Sequence, residues 1–305
     1  MKLSLCIATY NEEKFIHYPL DSAYDIVDEV VIVDGGSTDR TIEIAKAYGQ
    51  KVRVIKSDNP PMFHKNKEKA IRAARGEWIL QLDADEALSE ELRKEIVNLL
   101  QIQNSKIKNQ NKIPKLKNDV IESETELSRK NSKVAYWLPR QNYFLGRFLM
   151  KGGVYPDYTI RLYKNGAVRF PCRSVHENVE LIENLNTGNS LKIENCKSKI
   201  GYLKSPLLHY ADPDFKRYLK RWDRYATLDA EILRQELKNQ NTKSKTIWLF
   251  VQYIFIKPVS WFFSAYFRHL GFLDGWQGLV FHFFSSIRFW AIYYKLMIKS
   301  RKLKI

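Results

Sequence analysis

Short apolar runs alternate with amphipathic stretches through the first hundred residues. Leu3 to Ala8, Val30 to Val33, Val52 to Ile55 and Trp78 to Leu82 are short and largely apolar, which predicts four strands, with Val30 to Val33 and Trp78 to Leu82 buried. Between them, Phe15 to Ile26 (with Pro19 near its start), Thr41 to Tyr48 (ended by Gly49) and Lys65 to Arg75 predict helices. Strand and helix in strict alternation predict an α/β fold, a mostly parallel, Rossmann-like sheet with helices on both faces. In such a sheet ligands bind beyond the carboxyl ends of the strands. The loops there carry Thr9, Asn11, Glu12, Asp34, Asp83 and Asp85.

The pattern changes after residue 100. Residues 101–133 are rich in Asn, Lys, Gln, Ser and Glu with no sustained period, which predicts a helix from Ser89 passing into a flexible insertion. Ala135 to Leu138 resumes the sheet, residues 142–171 read as loops and short strands, and Leu207 to Tyr210 as a further strand end. Asp214 to Lys238 predicts a charged amphipathic helix. Residues 247–294 hold 18 of the 40 aromatics, interrupted by Lys257, Arg268, Asp274 and Arg288. Pro258 and the series Gly271, Gly275, Gly278 are expected to break helices there. The chain therefore parses into 1–100, the insertion 101–133, a second sheet portion 134–212, an amphipathic helix 213–242 and an aromatic, basic tail 243–305.

The candidate chemistry centres on residues 76–86, Gly-Glu-Trp-Ile-Leu-Gln-Leu-Asp-Ala-Asp-Glu. Asp83 and Asp85, two apart where a strand ends, lean toward one small volume. Such a pair repels unless a cation lies between its members. Hard oxygens with room for water suit Mg2+ or Mn2+ bridging to a substrate diphosphate. An acidic turn opening the next helix is the plainer alternative.

Three stretches in order tip the balance. Thr-Tyr-Asn-Glu-Glu (9–13), Val-Asp-Gly-Gly-Ser-Thr-Asp-Arg-Thr (33–41) and the 76–86 segment resemble the successive motifs of family 2 glycosyltransferases, which have the GT-A fold. The resemblance implies an inverting sugar transfer from a nucleotide-diphosphate sugar. It implies that Thr9, Asn11, Glu12 and Asp34 hold the nucleotide, with Asp83 and Asp85 at ribose, metal and diphosphate. Two positions depart from the pattern: Gly35 stands where many members have Asp, and Lys67-Glu68 where many have Arg-Asn. Lys67 still offers a charge to a phosphate, without a bidentate fork. In the family an acidic residue downstream commonly takes the acceptor proton, which makes Glu177 the candidate base; a surface Glu paired with Arg173 or Lys192 is the alternative. His176 is a candidate to position that base or touch phosphate, and Arg161 a candidate phosphate or acceptor contact. His209 is a candidate metal ligand, against a packed core histidine. The Phe63-His64-x-Asn66-Lys67 to Glu86 stretch is similar to the lipopolysaccharide core Kdo/heptose β-1,4-glucosyltransferase group.

Charge adds a partner. The formal charge is +16, but residues 1–100 carry 14 basic and 18 acidic residues, so −4, and the remainder carries +20. Residues 243–305 hold ten basic residues and one acidic. Aromatic belts beside Lys and Arg suit a helix lying in the headgroup layer of an anionic membrane. The expectation is a peripheral or monotopic protein on the cytoplasmic face of the inner membrane, acting on a lipid-linked glycan; the core of a helical subdomain is the alternative for the aromatics. Cys6, Cys172 and Cys196 have no metal-ligand spacing and fit a reducing compartment. A polyisoprenyl-phosphate acceptor is the rival enzyme reading. A nucleic-acid-binding protein lacks a recognisable module, and a non-catalytic membrane scaffold sits poorly with Asp34, Asp83 and Asp85.

Overall fold

The computed structural model describes residues 2–60, 62–110, 133–172, 179–182, 190–191, 199–238 and 245–301. The chain divides into two units, Met1–Arg140 with Tyr158–His209, and Gln141–Asp157 with Tyr210–Ile305.

The first unit opens with the expected alternation: β1 (Leu3–Thr9), α1 (His17–Ala23), β2 (Glu29–Asp34), α2 (Thr41–Ala47), β3 (Val52–Lys56), α3 (His64–Ala73) and β4 (Trp78–Asp83). β1 pairs in parallel with β2 and with β4, and β2 with β3. Residues alternate between two cores. Leu5, Ile7, Val30, Ile32, Leu80 and Leu82 fill one face, and Cys6, Val31, Val33 and Ile79 the other. Burial on both faces is why these strands read as unbroken apolar runs. Gly76 enters β4 with its Cα against β1; a Cβ there would lie 2.4 Å from Ser4 Oγ and 2.9 Å from Lys2 O.

Two features differ from expectation. The Asp83–Asp85 turn leads into a short strand, β5 (Glu86–Leu88), before α4 (Glu90–Gln110), because Glu86–Leu88 pairs antiparallel with residues 207–209 of β13 (Leu207–Asp212). The loop-like region 142–171 contains a full strand, β8 (Asp157–Lys164), antiparallel to β4 through Ile79↔Tyr163. The sheet is thus mixed, in the order β3-β2-β1-β4-β8-β6-β13-β5, with β6 at Ala135–Phe144; β9 (Val168–Arg169), β10 (Glu180–Ile182) and β11 (Ser190–Leu191) form a small second sheet, and β12 (Ile200–Tyr202) pairs with β6. The body of the 101–133 insertion lies outside the described residues.

In the second unit, β7 (Arg147–Leu149) pairs with Asn142–Phe144 of β6. α5 (Phe215–Lys238) is followed by a helical run of α6 (Lys245–Val251), a π turn (Gln252–Ile256), α7 (Lys257–Phe263) and a second π turn (Ser264–Arg268). α8 (Gly275–Arg301) completes it. Pro258 and Gly278 do not break these helices. Pro258 follows directly on a π turn, in the first turn of α7, where its missing N–H is least disruptive. Gly278 lies inside α8 because its Cβ would fall 2.2 Å from Gly271 O; close approach, not a break, is what the glycine provides. The chain does turn at Leu270–Gly275, where Leu270 (φ 60°) and Gly275 (φ 70°) are left-handed.

Candidate active site

The parallel register brings three strand ends together, with Thr9 opposite Asp34 and Ala8 opposite Asp83. The loops after β1 and β2 are laced to each other. Asn11, left-handed at φ 54°, accepts from Thr38 N at 2.8 Å, and its own N–H donates to Ser37 Oγ at 2.9 Å. Glu12 N donates to Thr41 Oγ1 at 2.8 Å. Asp34 is buried and accepts from Ser37 N at 3.0 Å, Gly36 N at 3.2 Å and Ser37 Oγ at 2.5 Å. It therefore shapes the loop that follows it. Thr9 Oγ1 is buried without a hydrogen-bond partner, an orphan of the kind a ligand satisfies. Gly35 packs on Asn59, where an added Cβ would sit 3.3 Å from Asn59 Cβ, so a larger residue would crowd this corner.

Asp83 and Asp85 have different surroundings. Asp83 meets two protein cations: Lys67 Nζ lies 2.5 Å from Oδ1 and Arg161 Nη2 donates to Oδ2 at 2.7 Å. Gln81 Nε2 adds a bond to Oδ1 at 3.2 Å. Burial alone would raise the Asp83 carboxyl, but Arg161 and then Lys67 outweigh it and hold it far below the ordinary carboxylate range. Burial likewise pushes the Lys67 ammonium down, with Asp83 drawing it back up. With both oxygens of Asp83 engaged, the cation expected beside it is supplied by the chain itself. Lys67 is buried on Asp83, under the Phe63 ring at 5.1 Å, rather than extended toward a phosphate.

Arg161, the candidate phosphate or acceptor contact, is bound within the chain. It is buried and donates from Nε to Glu86 Oε2 at 2.9 Å, from Nη1 to Gln81 Oε1 at 2.8 Å, and from Nη2 to Glu86 Oε1 at 2.8 Å. Glu86, fully buried, also accepts from Asp83 N at 3.0 Å and Arg140 Nη1 at 3.3 Å. Arg161 thus grips both ends of the Asp83–Glu86 turn. Gln81, Glu86 and Arg140 did not stand out as site residues; the one signal in the sequence was Gln81, the polar position in an otherwise apolar strand.

Asp85 faces His209. His209 Nε2 lies 3.6 Å from Asp85 Oδ1, because β13 pairs His209 with Glu86 at the next position of the turn. A carboxylate beside an imidazole is a donor set that would suit Mn2+ or Mg2+. Among the described residues no group of three or more His, Cys, Asp or Glu side chains gathers as a metal centre. Glu177 and His176 lie outside the described residues.

Comparison with known proteins gives the family. The profile of the family described as "Glycosyl transferase family 2" matches residues 4–169. An uncharacterized glycosyltransferase of Rickettsia bellii is 26% identical over 287 residues, which cover 92% of this chain and 80% of that protein. Another of Rickettsia typhi is 43% identical over 96 residues, 31% of this chain and 32% of its own. The lipopolysaccharide core biosynthesis glycosyltransferase LpsC of Rhizobium meliloti is 24% identical over 311 residues, 99% of this chain and 95% of its own. Among solved structures, Staphylococcus aureus TarS 1-349 aligns with 94% of this chain and 89% of its own, at a TM-score of 0.40 and 14% identity.

Proposed function

The chain belongs to glycosyl transferase family 2, and from that membership we propose an inverting, metal-dependent transfer of a hexose from a nucleotide-diphosphate sugar to a lipid-linked glycan. The GT-A expectation holds: a mixed sheet with helices, and a helical carboxyl-terminal region. The full-length similarity to a lipopolysaccharide core glycosyltransferase supports a lipopolysaccharide core or related cell-surface glycan as the acceptor. Residues 243–305 bring the enzyme to the anionic cytoplasmic leaflet where such an acceptor is built.

The observation that carries the chemistry is the Asp85–His209 pair beside an Asp83 already neutralised by the chain. Asp85 and His209 would hold the divalent ion, which would supply positive charge to the leaving diphosphate. Asp83, kept ionised by Lys67 and Arg161, is left to accept a hydrogen bond from the donor's ribose. Thr9, Asn11 and Glu12 line the nucleotide side, with Thr9 Oγ1 finding its partner there, and Asp34 sets the loop. Glu177 takes the acceptor proton as that oxygen attacks the anomeric carbon opposite the diphosphate.

The test separates binding from folding. Asp85→Ala is expected to lower transfer at least about a hundredfold. It should also abolish the Mn2+-dependent part of thermal stabilisation by a nucleotide-sugar panel, while the melting temperature of the free protein barely moves. His209→Ala should weaken Mn2+ binding, read by electron paramagnetic resonance, less than Asp85→Ala does. Normal turnover in Asp85→Ala would defeat the assignment.

A further inference from the structure

The tail presents more apolar surface than a folded protein ordinarily leaves uncovered. The 22-residue stretch Ile247–Arg268 is long and apolar enough to cross a bilayer, yet only 11% of its apolar window is buried within the structure. Phe255, Val259, Phe263 and Phe267 recur four apart along it and are all exposed. On α8, Trp276, Phe283, Trp290 and Tyr294 recur at spacings of seven, seven and four and are also exposed, Trp276 at 59%. Charge complements this surface. The stretch 247–298 has a single acidic residue, Asp274, and it is buried, accepting from Met150 N at 3.0 Å and Lys151 N at 2.8 Å. Of its cations, Arg288 and Lys295 meet Asp229 and Asp223 of α5, which leaves Lys257 and Arg268 to face the headgroups. A leaflet with an anionic headgroup layer fits both properties.

Two modes of contact are open to such a hairpin: crossing the bilayer, or lying in its interface. Packing within the second unit decides between them. The charged helix α5 runs against the middle of the hairpin. Trp222 Nε1 donates to Phe284 O at 2.7 Å, and Ala226 and Ala230 pack with Tyr253 and Ile292. Lys295 Nζ lies 2.7 Å from Asp223, and Arg288 Nε 3.7 Å from Asp229. At about 1.5 Å per residue, Ile247–Arg268 would use up the hydrocarbon thickness. Tyr253 would then lie inside it, and the charges of α5 with it. Lys257 would sit near the bilayer centre, where a cation is strongly disfavoured. The far turn is tied down as well: Gly152 N donates to His269 O at 2.8 Å and Arg147 Nη2 to Leu273 O at 3.3 Å. That turn cannot reach the opposite leaflet without carrying Arg147 and Lys151 across.

We infer that the 245–301 hairpin lies in the plane of an anionic leaflet, immersing the Phe263 and Phe283 faces and leaving the 269–275 turn open to water on the side from which the protein binds. This rests on the reading that the tail meets a membrane, and the experiment separates the two. Purified full-length protein is mixed with vesicles of phosphatidylcholine, with and without phosphatidylglycerol, and binding is read by sedimentation. Binding that rises with phosphatidylglycerol, and falls at least about tenfold in Phe263→Asp/Phe283→Asp at unchanged circular dichroism, is expected. Equal binding by that variant, or no binding by the parent, overturns both readings. A His269→Cys variant bound to the same vesicles is then treated with a membrane-impermeant maleimide, and modification at position 269 is read by mass spectrometry. Labelling without detergent is expected. Protection until detergent is added overturns the in-plane placement alone.

Discussion

Arg161 offers the sharpest test of how the site is held. It is buried, and its guanidinium makes four hydrogen bonds, two to Glu86 and one each to Gln81 and Asp83. In Arg161→Ala, Glu86 stays fully buried with only Asp83 N and the longer Arg140 contact. Removing one partner of a buried ion pair costs about 3–5 kcal/mol, because the other charge is left uncompensated. At roughly 2–4 °C per kcal/mol, the melting temperature falls by about 10 °C. The cause is separable from lost volume. Glu86→Gln alone should destabilise, but in the Arg161→Ala background it should restore about 1–2 kcal/mol by removing the stranded charge. Arg161→Lys keeps the charge and loses the fork, so it should fall between parent and Ala. Urea denaturation of the four proteins closes the cycle. A cost below about 1 kcal/mol for Arg161→Ala, or no recovery on adding Glu86→Gln, would refute the argument.

Other expectations follow from the same geometry. Asp83 is held below its unfolded value of about 4, so its stabilisation is complete above that pH and is lost as pH falls toward the folded value. Arg161→Ala removes much of that depression, so the stability gap between parent and variant should be widest near neutrality and narrow at pH 3; a constant gap would contradict it. Gly76→Ala should destabilise by about 1–3 kcal/mol through overpacking against Ser4 and Lys2, read by the same denaturation curve. Asp274→Ala removes the acceptor for two backbone N–H groups and should cost about 2 kcal/mol, with raised proteolysis in the Leu270–Gly275 turn.

The amino-acid pattern alone determined a good deal. Three runs buried on both faces, those of β1, β2 and β4, became inner strands of a covered sheet with β3 partly buried at its edge, and their parallel order put Thr9, Asp34 and Asp83 at one end of the sheet. Those signals are local, carried by residues a few positions apart. The tertiary structure decided what was not local. Arg161 is 78 positions from Asp83 and 75 from Glu86, and nothing in its own surroundings showed that β8 would lie beside β4 and bring its guanidinium onto both carboxylates. His209 meets Asp85 only because β13 closes on β5. Pro258 and Gly278 read as breaks until the π turn and the Gly271 carbonyl supplied the reason each is tolerated. Propensity acts along the chain, whereas desolvated charges and close backbone contacts are settled by whichever distant segment packs against them.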